Sequence, residues 1–402
     1  MVVQNQRLLE DIRDQIDLSR EVTDEEVLEI IEKRIVEESK RTFISLNEKY
    51  RLRKELFHAI RKLDILQDLI DDVKITEIMV NGTNPIFVER AGRLYELTIH
   101  FETKERLEDI IQQIVSHANR VVNTAAPIVD ATLENGARVN VVLPPVAMNG
   151  PILTIRRFPD KPLEMSDLLR MESISEEACE FLRKMVAAGY NIMISGGTGS
   201  GKTTFLNTLS CFIPSDERII TIEDSAELQI QGISNLVRLE TRNANIEGCS
   251  EITIRDLIKT SLRMRPDRII VGEVRGKEAV DLMSAFNTGH DGSLSTAHAN
   301  SAKDMLSRLE SMMLMGVSMP LPAIRRQIAS GIDLIIHLGR LRDRSRRVLE
   351  IAEIIGFHEE EIALQSLYQF KEYGEDRDGK IIGGLEQVSS LTNTQKLEQK
   401  RV

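Results

Sequence analysis

From Gln4 to about Ile65 the chain is highly charged, with apolar residues such as Val27, Ile30, Ile31 and Ile35 spaced three and four apart. That period gathers the apolar positions on one side of a helix, so it predicts amphipathic helices over 1–65. Near Asp71 the pattern changes: TEIMVNG and PIFVERAGRLYEL read as strands, with Asn81-Gly82 suited to a turn between them. Thr103 to Arg120 returns to a helical period through Leu107, Ile110, Ile111 and Ile114, and ARVNVVLP and PILTIRRF return to strand patterning. Residues 66–158 therefore predict a small α/β domain.

Pro159 and Pro162 in PDKPLEMSDLL mark a linker over 159–172. Ser173 followed by Glu176 predicts a capping box for a helix that ends near Gly189. Beyond it NIMIS, RIITIED, RIIVGE, SLSTAH and IDLIIHL alternate with helical segments, the pattern of a mainly parallel sheet covered by helices, over 173–340. VLEIAEIIGF and EIALQSLYQF place two more strands in a C-terminal extension over 341–402, and the polar end from Ser389 has the composition of a disordered tail.

One motif joins a strand to a helix in that core. Gly196, Gly197, Thr198, Gly199, Ser200, Gly201, Lys202 and Thr203 match G-x-x-x-x-G-K-[ST], between the strand NIMIS and the helical TTFLNTLSCF, which opens with Thr203 and Thr204. Glycines let backbone N–H groups turn onto phosphates, and the helix N-terminus adds its partial positive charge. Lys202 is expected to bridge the β- and γ-phosphates of ATP and Thr203 to offer its hydroxyl to Mg²⁺. The bland alternative, an ordinary Gly-rich turn, does not explain strand, loop, helix, Lys and Thr together.

Carboxylates to act beside such a site come from two strand ends, Glu223 and Asp224 after RIITI and Glu273 after RIIVG. Asp224 is the expected Mg²⁺ partner alongside Thr203. Gly272 stands where many P-loop enzymes carry a metal-binding Asp, so Glu273 is expected to act through water. His290 and His298 flank SLSTA, and only His298 falls at the end where the other strands carry carboxylates. Alone, each histidine reads as structural.

Composition narrows the partners. The chain has 402 residues, 42% hydrophobic and 29% charged, enough to bury more than one core. With 52 Lys+Arg against 63 Asp+Glu, the net charge of −11 and pI near 5.4 repel polyanions, and the chain has no Trp and 4% aromatic residues. A nucleic-acid translocase would need basic channels with stacking aromatics, so no nucleic acid is expected. Cys179, Cys211 and Cys249 are too far apart for a metal knuckle or redox pair, which suits a reducing cytoplasm. The N-terminus has acids from Glu10 onward where a signal peptide needs an apolar stretch, and no run of about 20 apolar residues predicts a membrane span.

Asn191 to Glu310 resembles the type II/type IV secretion ATPases, or traffic ATPases, in four ordered motifs: GGTGSGKTT, the acidic box IEDSAELQ, the Walker B segment SLRMRPDRIIVGEVRG and the His box FNTGHDGSLSTAHANSAKDMLSRLE. The resemblance extends through NGARVNVVLPPV, ILTIRRF and GRLRDRSRRVLEIAEIIGF, over most of 66–370, and is nearest the CpaF-like branch that assembles Flp/Tad pili. The absence of any CxxC departs from the general secretion branch with its four-cysteine zinc insert; conjugation-type secretion ATPases share LRMRPDR and the TIRR-like segment.

The resemblance implies a RecA-like P-loop core behind a small α/β domain, ATP hydrolysis, a homohexameric ring and an inner-membrane platform protein as partner, with the chain in the cytoplasm and at the membrane only through partners. It implies that Glu273 polarises the attacking water, that Glu223 and Asp224 belong to the acidic box, and that His298 senses the γ-phosphate, leaving open whether Glu223 or Glu273 is the main base. It also implies that Arg138 and Arg156 serve the nucleotide site, with Arg157, Arg263 and Arg265 as weaker candidates. Such arginines change rates by about 10³- to 10⁵-fold. A switch that binds ATP with negligible turnover is the rival outside the motor class. The basic run Arg340, Arg342, Arg344, Arg346 and Arg347 reads as a solvated β-turn, and DRDGK at 376–380 as a hairpin turn.

Overall fold

Thr23 and Ser45 fix the starts of two long N-terminal helices: each side chain accepts from the backbone three residues on, and Glu26 and Glu48 return the bond. In a computed structural model the described residues are 2–16, 20, 22–90, 92–118, 120–133, 136–157, 162–242 and 250–400. The helices are α1 (Val2–Arg13), α2 (Asp24–Ser39), α3 (Leu46–Arg61) and the short α4 (Ile65–Asp71). Val27, Ile31 and Ile35 of α2 meet Leu8 and Ile12 of α1 and Leu52 and Leu56 of α3 in a core of their own.

The chain divides into two compact units, Met1–Asp160 and Lys161–Val402. In the first, β1 (Ile75–Asn81), β2 (Ile86–Arg90), β3 (Arg93–Leu97), β4 (Ile128–Thr132), β5 (Arg138–Val142) and β6 (Ile152–Arg156) form an antiparallel sheet in the order β3-β2-β1-β6-β5-β4. Alternation sends Ile78, Val80, Val139, Val141, Leu153 and Ile155 to one face, against Leu107, Ile110, Ile111 and Ile114 of α5 (Lys104–His117). β4 has no apolar run to betray it: Ala131 is its one buried residue.

The second unit is built on one nine-stranded sheet: β7 (Ile192–Gly196), β8 (Ile219–Glu223), β9 (Leu236–Glu240), β10 (Arg268–Val271), β11 (Leu294–Ala297), β12 (Leu334–Arg340), β13 (Arg346–His358), β14 (Glu361–Glu375) and β15 (Ile381–Gln387). Their order is β15-β14-β13-β12-β7-β11-β10-β8-β9. Pairing is parallel from β12 across to β9 and antiparallel from β12 to β15. The helices are α6 (Met165–Arg170), α7 (Glu176–Ala188), α8 (Lys202–Ser210), α9 (Ile254–Ser261), α10 (Ala279–Phe286), α11 (Ala302–Gly316), α12 (Leu321–Gly331) and α13 (Gln395–Lys400). Two hydrophobic clusters lie on this sheet, one with α9 to α12 and one with α7 and α8, so the central strands are buried on both faces.

Four sequence expectations change. Pro159 and its neighbours to 161 lie outside the described residues, as does Cys249, but from Met165 the expected linker is α6, whose Leu168 is buried in the second unit. The N-cap of α7 is Ser175, not Ser173: the Ser173 carbonyl accepts from Val348 N on β13, which leaves Ser175 extended beside the helix. The C-terminal extension is no separate layer, because β13 to β15 continue the core sheet; its third strand, with Gly383 and Gly384 inside it, carries no readable period.

The polar end is also docked. Glu353, 1% exposed, accepts from Thr392 N at 2.8 Å and Asn393 N at 2.7 Å; Tyr190 Oη donates to Asn393 O at 2.6 Å. Lys396 pairs with Asp333 and Asp291 at 2.8 Å each. Composition suggested disorder because the partners that satisfy this segment, on β13 and in the loops before β7, β11 and β12, are distant in sequence. Among the described residues no helix is long and apolar enough to cross a membrane.

Candidate functional site

β7 lies between β11 and β12 and is fully buried, so the loop after it emerges at the centre of the sheet's carboxyl edge. Leu338 pairs with Gly196. A Cβ on Gly196 would lie 2.5 Å from Ser200 Oγ and 2.6 Å from Leu338 O, so no larger residue fits there. Gly199 (φ +72°) and Gly201 (φ +93°) adopt the left-handed backbone that closes the loop onto α8. Ser200 Oγ donates to Gly197 O at 2.9 Å. The first-turn N–H groups of α8 have no intrahelical carbonyls to bond, which makes this helix start an anion cradle.

Lys202, 8% exposed, donates from Nζ to Gly196 O at 3.1 Å and Gly197 O at 3.2 Å, and lies 3.2 Å from His298 Nδ1. An ammonium only donates, so Nδ1 accepts and the proton of a neutral imidazole sits on Nε2. Burial lowers the pKa of both Lys202 and His298. His298 Nε2 lies 2.9 Å from Glu273 Oε1, off the line of a hydrogen bond, and Oε1 is a buried oxygen with no hydrogen-bond partner. Glu273 Oε2 accepts from Arg275 Nη2 at 2.7 Å, and Arg275 Nη1 is 3.9 Å from Asp224 Oδ2.

Glu223, 4% exposed, ends β8 with Oε1 accepting from Glu227 N and Leu228 N at 2.8 Å each. Burial outweighs those bonds and pushes its pKa up to about 7. A Cβ on Gly272 would lie 3.0 Å from Glu223 Cγ, the packing reason for glycine at that strand end. Thr203 and Thr204 are half-buried on the first turn of α8, and Asp224 is exposed.

The structure thus brings Lys202, His298 and Glu273 together, with Arg275 joining Glu273 to Asp224. His290 stays at the opposite end of β11, its Nδ1 3.3 Å from Ala285 O. Arg138 and Arg156 belong to the first unit, where they face each other across β5 and β6 with Thr132, Glu77 and Glu89 in the same rung. Arg157 donates to Asp72 O at 2.7 Å. Arg263 and Arg265 follow α9 and are exposed.

Two residues escaped the sequence reading. Arg275 could have been found from its place two residues after Glu273 in GEVRG. Arg346 was read as part of a solvated turn, yet three arginines of that run are engaged: Arg342 binds Glu372 and Glu375, Arg347 is buried against Glu172, and Arg346 donates to Gly199 O.

Mg²⁺ prefers oxygen ligands, keeps several waters and takes only one or two from protein; a hydroxyl and a carboxylate, as Thr203 and Asp224 carry, are groups of that kind. The unpartnered buried Oε1 of Glu273 is an acceptor in want of a donor, as a water beside bound phosphates would be.

Residues 60–377 match the family model described as type II/IV secretion system protein. The conjugal transfer protein TrbB of Rhizobium radiobacter is 33% identical over 322 residues, 78% of this chain and 95% of that protein. The type IV secretion system protein VirB11 of Brucella suis is 31% identical over 304 residues, 69% of this chain and 84% of that one. The crystal structure of the pilus retraction motor PilT with bound ADP, 19% identical with a TM-score of 0.54, covers 84% of this chain and 86% of its own, a likeness of fold. The loop, the strand order and these matches agree that the chain belongs to the type II/IV secretion system protein family.

Proposed function

We propose that the chain is a P-loop ATPase that hydrolyses ATP to ADP and phosphate and works as a homohexameric motor on an inner-membrane platform protein. The observation that carries this reading is the contact series Lys202, His298, Glu273, built at the mouth of a complete phosphate loop. Gly196 to Thr204 would cradle the phosphates, and Thr203 and Asp224 would hold Mg²⁺, which would supply positive charge to offset that of the phosphates. Glu273 offers Oε1 to the attacking water; Arg275 holds its other oxygen; neutral His298 lies between that carboxylate and Lys202, where it reports on the γ-phosphate. Glu223, half protonated near pH 7, is the second candidate base. Arg138 and Arg156 would add positive charge to the transition state, which would tie turnover to ring assembly.

The favoured machine is a Flp/Tad-type pilus, supported by HDGSLSTAHAN and the charged N-terminal helices. A conjugation-type secretion ATPase is the second reading, favoured by the 33% identity with a conjugal transfer protein. The chain would act in the cytoplasm, at the inner face of the membrane through its partner, without nucleic acid.

The test is phosphate release by the purified chain against protein concentration, with light scattering for mass in the same samples and Lys202→Ala as control. Specific activity that rises with hexamer formation, absent in Lys202→Ala, is expected. Tight ATP binding without phosphate release from hexamers would instead make the protein a switch.

A further inference from the structure

Arg346 opens β13 opposite Arg340, the last residue of β12. β12 in turn lies beside β7, where Leu338 pairs with Gly196, so the turn between β12 and β13 stands at the edge of the phosphate loop. That turn is held in place. Arg342 binds Glu372 and Glu375, Asp343 accepts from Ser345 N at 2.8 Å and Ile381 N at 2.9 Å, and buried Arg347 is bonded to Glu172. Arg346 reaches the other way: its Nε donates to Gly199 O at 2.9 Å, and its Cδ is 3.4 Å from where a Cβ on Gly201 would stand.

The bonded carbonyl belongs to the Gly199–Ser200 peptide, whose N–H donates to Gly197 O at 3.3 Å. One rigid peptide plane is therefore held from both sides. Gly197 O also accepts from Lys202 Nζ and Ser200 Oγ, so the clamp leads directly to the phosphate-binding lysine. Gly199 and Gly201 need such a hold, because glycine leaves a left-handed conformation as readily as it enters one.

We infer that Arg346 is a positioning residue for the nucleotide: from β13 it fixes the Gly199–Ser200 peptide, so that the loop is already shaped for a nucleoside di- or triphosphate. The inference rests on the nucleotide-binding reading above. It also gives the antiparallel strands β13 to β15 a part in binding, since the turn that aims Arg346 is braced by Glu372 and Glu375 of β14 and by Ile381 of β15.

Gln places its Nε2 where Arg has Nε, so Arg346→Gln keeps the donor and removes the charge. Binding of a fluorescent ADP with Mg²⁺ to the full chain would be compared for wild type, Arg346→Ala, Arg346→Gln, Arg346→Lys and Lys202→Ala. Arg346→Ala is expected to weaken ADP about tenfold, the scale of one charge-assisted hydrogen bond, with its thermal midpoint without nucleotide unchanged. Arg346→Gln is expected to restore most of that loss, and in turnover the Ala variant would raise KM with kcat nearly unchanged. Wild-type affinity in Arg346→Ala overturns the inference. So does rescue by Lys but not by Gln, which would make the residue a charge on the phosphates rather than a clamp. If wild type itself fails to bind ADP, or binds it no better than Lys202→Ala, the nucleotide-binding reading falls first and the inference with it.

Discussion

Glu223 and Gly272 share one small space at the ends of neighbouring strands β8 and β10, where a Cβ on Gly272 would lie 3.0 Å from Glu223 Cγ. The carboxylate that the acidic box supplies thus fills room that an Asp on β10 would otherwise need. Gly272→Ala should push Glu223 off its bonds to Glu227 N and Leu228 N, lower phosphate release about tenfold and, by orphaning those buried groups, lower the thermal midpoint by a few degrees. Unchanged turnover would mean that Glu223 yields without consequence.

Glu273 Oε1 lies 2.9 Å from His298 Nε2, and the other ring nitrogen of His298 meets Lys202. Glu273→Gln should therefore bind ATP and fail to cleave it, with single-turnover hydrolysis slowed by about 10² to 10³. Normal cleavage in this variant would pass the role of base to Glu223.

Burial raises the pKa of Glu223 to about 7, so the folded state holds this proton more tightly than the unfolded chain does. The resulting stability is fully present below the ordinary Glu pKa of about 4.3 and is lost as pH rises through about 7. Glu223→Gln cannot ionise and still offers an oxygen to the two N–H groups. Relative to wild type it should gain about 2 kcal/mol between pH 5 and pH 8.5 in urea unfolding. Parallel pH curves for the two proteins would contradict the burial argument.

Arg268, 1% exposed, begins β10 and is bonded to Glu217 and to the Val186 carbonyl, and any side chain at Gly292 would overlap its guanidinium. Removing a buried paired charge leaves a cavity and orphaned acceptors. Arg268→Ala should cost about 3 kcal/mol in urea unfolding, although the residue begins β10, at the end of that strand away from Glu273. A loss below about 0.5 kcal/mol would show that water replaces the guanidinium.

The glycine-rich loop was legible because its pattern is local: glycines, lysine and threonine fall within eight consecutive residues, and backbone geometry alone shapes them. His298 and Glu273 were legible as strand-end residues on one edge of a parallel sheet. The strands β4, β9 and β15 were not, since edge strands with polar or glycine positions carry no apolar period to read.

By itself the sequence determined the parallel core, the glycine-rich loop between a strand and a helix, and the family, all of which follow from short-range pattern and motif order. Only the tertiary structure decided which charges meet. It set His298 between Lys202 and Glu273, turned Arg346 from a solvated turn residue into a clamp, and docked the polar tail on Glu353, Tyr190 and Asp333. Charge is identical in sequence whether a side chain is solvated or paired, and only strand order and register bring residues 96 or 147 positions apart within reach.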